Sequence, residues 1–348
     1  MMDAFARMSP HATTADAVMR ISSAIHVLTS GTGATARRPN FATAAMANAL
    51  VRMSAHATTP DAVHYLSAAI DSTSHGSVES VKAMFVTMAM MHAFARMSTH
   101  ATTTDSIRCI TSAIRNIALS ADATEKATFA TGVMLDAFVR MAAHATTSDD
   151  VLYLSMAICN VTSTTGASVK ATFATVSMIE AFVRMSVHAT TPDAVVALSS
   201  AICAITKDAD ASVKATFATV AMEDAFVTMS VLATTAYAVE WLSRAIHNIT
   251  EGTDTAVKAK FATTSMVDTF VCMSACATTP DAVRYLSSAI SNITNGDESA
   301  VKTTRHDSDD RCVGEDVRPR HVARRSRFAY FRDQQYCKLC YGSNSVDK

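Results

Sequence analysis

The chain has 348 residues, a formal net charge of −1, 9 glycines and 6 prolines, and nothing in that balance points to nucleic acid as a partner. No apolar run approaches the ~20 residues a membrane span needs, so no membrane association is expected. The opening MMDAFARMSPHATT reads as no signal peptide, and eight cysteines at unmatched positions form no disulfide framework, so the expected compartment is intracellular, cytoplasmic or nuclear, and not secreted.

Read from the start, the chain repeats itself. A methionine ahead of the phrase S-x-H-A-T-T, or a variant of it, recurs at Met8, Met53, Met97, Met141, Met185, Met229 and Met273, at a spacing of 45 and then 44 residues. A second methionine stands seven residues earlier in each copy: Met1, Met46, Met90, Met134, Met178, Met222 and Met266. Such a period implies stacked supersecondary units sharing one core, here over residues 1–302. Met1 already occupies a repeat position and the pattern stops at Arg305, where a core phenylalanine would fall. A truncated reading frame with an unrelated or frameshifted tail is the expectation from these two breaks.

One copy, ASVKATFATVSMIEAFVRMSVHATTPDAVVALSSAICAITKDAD, divides into three helical stretches. The first, SVKATFAT, carries Phe173, matched by Phe41, Phe85, Phe129, Phe217 and Phe261. The second, MIEAFVRM, places Met178, Phe182 and Met185 on one face, matched at the central position by Phe5, Leu50, Phe94, Phe138, Phe226 and Phe270. The third, PDAVVALSSAICAIT, aligns Val195, Leu198, Ile202 and Ile205 in one stripe. Ile202 is isoleucine in all seven copies, with alanine before it. Thr59-Pro60-Asp61, Thr191-Pro192-Asp193 and Thr279-Pro280-Asp281 read as an N-cap, a first-turn proline and a first-turn acid. Asp3–Arg7, Asp136–Arg140 and Glu180–Arg184 read as surface i, i+4 pairs, worth ~0.2–0.5 kcal/mol each. A basic ladder, Arg38, Lys82, Lys126, Lys170, Lys214, Lys258 and Lys302, runs in register through the copies, and Lys214 is expected to be exposed. Phe182→Ala should therefore cost ~3–5 kcal/mol and Lys214→Ala no more than ~0.5 kcal/mol.

Three helices in 44 residues, with the phrases DAFVRM and SSAISNIT, resemble the armadillo repeat family. The resemblance implies an all-α, right-handed α-solenoid of about seven three-helix repeats over 1–302, with 303–348 a disordered, Arg-rich tail. Gly132 falls where the family carries a glycine between its first two helices, but the other copies have Ala44, Met88, Val176, Val220 and Thr264. A longer, straighter, HEAT-like helix pair is the alternative. In armadillo proteins the third helix lines a concave groove, and its Asn amides hold the backbone of an extended peptide. The resemblance assigns that role here to Asn116, Asn160, Asn248 and Asn292. Seven residues before the Asn position stand Tyr65, Tyr153, Trp241 and Tyr285, on the same helix face. The Asn lies about 200° round the helix from the invariant Ile, so a wet strip of amides and aromatic rings is expected. The family's Trp, four residues before the Asn, is replaced by Ser112, Met156, Arg244 and Ser288.

Other chemistry is sparse. His11, His56, His100, His144 and His188 form a ladder, but neighbouring copies at a helix-packing distance of ~8–10 Å cannot share a metal with bonds of ~2.0–2.1 Å. Cys337-x-x-Cys340 is half of a zinc knuckle without a defensible second half, so no metal and no cofactor is expected. Residues 303–348 carry a net charge of +3 against −4 for the rest, and RPRHVARRSRFAYFR mixes Arg with aromatic rings. The expected function is a non-enzymatic scaffold that binds a protein or peptide and takes no small-molecule substrate. A nuclear-import or nucleic-acid-associated factor acting through the tail is the alternative.

Overall fold

Two short phrases cut each copy into separate helices. In Phe-Ala-Thr, the amides of Thr43, Thr131 and Thr219 donate to the carbonyls of Phe41, Phe129 and Phe217 at 2.9 Å. The central alanine makes an inverse γ-turn, with φ −83° and ψ 63° at Ala130 and φ −82° and ψ 72° at Ala218. His-Ala-Thr-Thr repeats the device: Thr102 donates to His100 and Thr190 to His188. The next extended threonine then caps a helix. Thr175 Oγ1 accepts from the Met178 amide at 3.3 Å, and Thr191 Oγ1 from the Ala194 amide at 3.3 Å. The capping expected at Thr59, Thr191 and Thr279 is present, with proline in the first turn each time.

An inverse γ-turn needs no positive φ, so the bend between first and second helices forms without glycine. Ala44, Met88, Val176, Val220 and Thr264 open the second helix as Gly132 does.

The computed structural model describes residues 2–30, 33, 38, 40–75, 83–119 and 121–295. All regular structure among them is helical. Four consecutive copies show three helices each: Ala123–Phe129, Gly132–Ala142 and Ser148–Thr162; Ala167–Phe173, Val176–Ser186 and Pro192–Thr206; Ala211–Phe217, Val220–Ser230 and Ala236–Thr250; Thr255–Ala259, Thr264–Ser274 and Pro280–Thr294. Ahead of them stand the second helices Met2–Met8, Ala44–Met53 and Met88–Met97 and the third helices Ala15–Ser30, Pro60–Ser74 and Thr104–Leu119. Third helices pack on third helices in series, and second helices on second helices. Each layer is thus built from one helix per copy, which is the arrangement of a helical repeat.

The first helix wedges between the second helix of the preceding copy and the third helix of its own. Its phenylalanine meets the preceding copy's second-helix phenylalanine. Phe94–Phe129, Phe138–Phe173, Phe182–Phe217 and Phe226–Phe261 have ring centroids 6.2–6.4 Å apart, all tilted. Full burial of such a ring contributes roughly 1.5–3 kcal/mol, and the tilted pair about 0.5–1.5 kcal/mol more. The repeat methionines from Met46 to Met273 are buried, while Met8 in the first copy is 46% exposed.

Polar side chains link the copies where surface dressing was expected. Arg140 does not pair with Asp136: its guanidinium donates to Ser98 Oγ and the Ala95 carbonyl of the preceding copy, at 3.1 Å each. Arg96 reaches Ser54 Oγ at 2.7 Å and Arg52 reaches Ser9 Oγ at 2.9 Å. The equivalent partner of Arg184 is Ala142, which offers no hydroxyl. Lys214 is a second correction: it is buried, not exposed, and so are Lys126 and Lys170 at the same position of their copies. Lys214 Nζ donates to the Glu251 carbonyl at 2.8 Å, and Lys170 Nζ to the Lys207 carbonyl. Each ammonium thereby satisfies a carbonyl at the C-terminal end of its copy's third helix, where the helix dipole favours a cation. Burial pushes the Lys170 ammonium below its ordinary value, with Asp208 opposing. Lys82, Lys302 and Arg305 lie outside the described residues.

Candidate functional site

The series of third helices brings the sequence-selected residues into one row, because each copy presents the same helix positions beside its neighbour. Tyr65, Tyr153, Tyr285 and Asn292 are half-buried. Asn116, Asn160, Asn248 and Trp241 are buried, with 2–6% of their surface exposed, which corrects the expected wet strip. The reason is local: the amides turn into the fold.

Asn116 Nδ2 donates to Asp71 Oδ1 in the preceding copy, and Asn292 Nδ2 to His247 Nδ1 in the preceding copy at 2.9 Å. Asp71 and His247 occupy one helix position, a residue ahead of the Asn position in their own copies. The link needs an acceptor there. For Asn160 that position is Arg115, a donor, and Asn160 Nδ2 turns back to its own Met156 carbonyl at 2.8 Å. For Asn248 it is Cys203, and Asn248 Nδ2 has no hydrogen-bond partner although it is enclosed. Of the four amides, Asn248 alone keeps a spare buried donor.

The aromatic positions hold cations that the sequence reading passed over. The Arg244 guanidinium lies 5.0 Å from the Trp241 ring centre and 4.9 Å from that of Tyr285, while Arg284 lies 4.4 Å from Tyr285 on the same ring. Arg115 lies 6.0 Å from the Tyr153 ring centre. Arg244 stands where the family's Trp is missing, so the departure from the family pattern was itself the available signal. Tyr65 meets the His64 ring edge-on at 4.7 Å, and His64 Nδ1 stands 3.3 Å from Cys109 Sγ.

Charges along the row are set by enclosure. Burial raises the Asp71 carboxyl above its ordinary value, against the opposing pull of His75, Arg115 and His26 and the Asn116 hydrogen bond. Burial lowers His247, against Glu251, so its neutral ring can accept from Asn292. The Cys203 thiol is pushed up to about 12 and that of Cys109 to about 11, both by burial, so neither is a thiolate nucleophile at neutral pH.

Among the described residues no three His, Cys, Asp or Glu side chains cluster to hold a metal ion. The backbone amides of His100, His144 and His188 close the second helix on the carbonyls of Met97, Met141 and Met185 at 3.0 Å. Cys337 and Cys340 lie outside the described residues. Among the described residues no helix is long and apolar enough to cross a membrane. Comparison with protein-family models gives no match, and comparison with curated proteins gives none either.

Proposed function

We propose that the chain is a non-enzymatic, armadillo-like α-solenoid that binds an extended peptide or a partner protein along its row of third helices. The observation that carries this reading is the row itself. Amide and aromatic positions recur in register on successively packed helices, with Tyr153 and Tyr285 half-buried and the Asn248 amide unpaired. Large rigid rings next to amide groups suit peptide capture, because rings supply contact area at low entropic cost and amides match peptide units. Asn116, Asn160 and Asn292 occupy the same row position, and Asn248 contributes through its donor. Tyr65 and Trp241 extend the row. The His64–Cys109 pair beside the row does not carry an activated thiol, since burial raises the Cys109 thiol to about 11.

The test is retention of displayed linear peptides on the folded protein, against a Tyr153→Ala/Asn248→Ala/Tyr285→Ala variant. The reading expects peptides retained by the native chain to be lost from the variant, with helical content unchanged. Peptides retained equally by both, or none retained by either, contradict it.

A further inference from the structure

We infer that residues 318–332 of this chain dock on the outer face of its second helices, across the fifth and sixth copies. The repeat itself builds that face. In Val176–Ser186 the residues Met178, Ile179, Phe182 and Met185 turn to the core. Val176, Glu180 and the following Val187 are exposed and fall within about 40° of one another round the helix, on the opposite side. Val220–Ser230 repeats the stripe one copy on, with Val220, Asp224 and Val231 exposed. The two helices pack on each other, so their stripes run side by side. Val176, Val187, Val220 and Val231 are 64–73% exposed, and the half-buried Val183 and Val227 join them. Scattered apolar residues on a surface need no explanation, but a contiguous apolar strip on two adjacent helices marks a contact face.

The charges on the strip specify its occupant. Glu180 and Asp224 stand within the two stripes, and Asp268 continues their row in the seventh copy, also exposed. None of the three holds an ion pair among the described residues. Four residues after each acid stand Arg184, Thr228 and Cys272, so the cation is lost toward the last copies and negative charge prevails there. An apolar strip edged with carboxylates suits a segment that carries both guanidinium groups and rings. Arg stems lie along apolar side chains while their heads reach carboxylates, and rings cover the valines. Residues 318–332, RPRHVARRSRFAYFR, contain six Arg, no Asp or Glu, and the rings of Phe328, Tyr330 and Phe331. The segment is also within reach. Residues 296–317 join it to Asn295, the last described residue, and can span up to about 75 Å. The fifth copy lies only two helix spacings from the seventh, roughly 20 Å. The third-helix row fits an Arg-rich segment less well, because Arg115, Arg244 and Arg284 already stand there.

The experiment is limited digestion of the full chain with chymotrypsin, reading cleavage after Phe328, Tyr330 and Phe331. That rate follows the population of the undocked segment. Val220→Ser/Val231→Ser and, separately, Asp224→Lys/Asp268→Lys are each expected to speed the cleavage at least about fivefold. All four positions are exposed, so helical content should stay unchanged. Adding Arg324→Glu/Arg325→Glu to the lysine variant is expected to restore the native rate, which a loosened fold would not do. Tyr153→Ala, on the third-helix row, leaves the rate within about twofold. Native rates in both the serine and the lysine variants overturn the inference, and so does failure of the exchanged charges to restore protection. Release of the segment by Tyr153→Ala overturns it in favour of the third-helix row. Docking within one chain is independent of concentration, so protection that rises with protein concentration overturns it in favour of a second copy.

Discussion

The helices Pro192–Thr206 and Pro280–Thr294 differ at only four positions, yet one is enclosed and the other is open. Every residue from Ala194 to Thr206 is buried, whereas the second helix buries only Ala282, Leu286, Ala289 and Ile293. The invariant isoleucine is 0% exposed as Ile202 and 38% exposed as Ile290. Ile202 has third helices packed on both sides, and no described copy follows Pro280–Thr294. Part of the difference is also chemical: Val196 and Ala197 become Arg284 and Tyr285, and Cys203 and Ala204 become Ser291 and Asn292. Burial in a repeat is a property of the neighbours, and the polar face appears where the neighbours are fewer or the side chains longer.

Substitutions can break or sharpen this contrast. The largest loss is expected from Phe182→Ala, which removes a ring buried against Phe217 and should cost ~3–5 kcal/mol by denaturant titration. Ile202→Ala should cost ~2–5 kcal/mol and Ile290→Ala no more than ~1 kcal/mol, although the residue and its helix position are the same. Equal losses from the two isoleucines would show that Pro280–Thr294 is packed like Pro192–Thr206.

Lys214→Ala now carries a different expectation from that of an exposed lysine. It leaves the Glu251 carbonyl without its donor and removes a buried stem, for about 1–3 kcal/mol in melting experiments. Asn292→Ala should cost about 1 kcal/mol at neutral pH through the His247 hydrogen bond. The sign with pH follows from a histidine lowered by burial. The neutral ring is favoured by folding, so the contribution is complete above the ordinary His value of about 6.5 and is lost as pH falls through the lower folded value. The cost of Asn292→Ala should shrink accordingly in acid, and a cost that is flat with pH would show that Nδ1 is not the acceptor. The smallest effect is a gain. Thr164 sits at φ 62°, where the sixth copy has Gly252 at φ 68°. Thr164→Gly should stabilise by ~0.5–1 kcal/mol, since left-handed backbone strains a β-branched residue.

The repeat, the helical stripes and the threonine caps were legible because they depend on spacing alone. The 44-residue period by itself assigns Phe182, Met178 and Ile202 to the core. Two kinds of feature were not legible. The γ-turns in Phe-Ala-Thr and His-Ala-Thr-Thr use residues that any conformation accepts, so only the missing glycines hinted that another turn was at work. The links between copies depend on what faces a side chain across 44 residues. Lys214 looked exposed because lysine usually is, and Asn248 looked equivalent to Asn116 because its own helix is similar. What separates those two amides is Cys203 against Asp71, a difference in the neighbouring copy. The candidate row was legible as a set of positions, while its burial and its cations were not.

The central claim is that protection is passed from copy to copy by neighbours, and amide hydrogen exchange resolved by copy tests it most directly. Exchange in Pro192–Thr206 should be the slowest of the third helices, and at least about tenfold slower than in Pro280–Thr294, as expected when local opening follows local burial. Uniform protection across the seven third helices, or slower exchange in Pro280–Thr294, would contradict it.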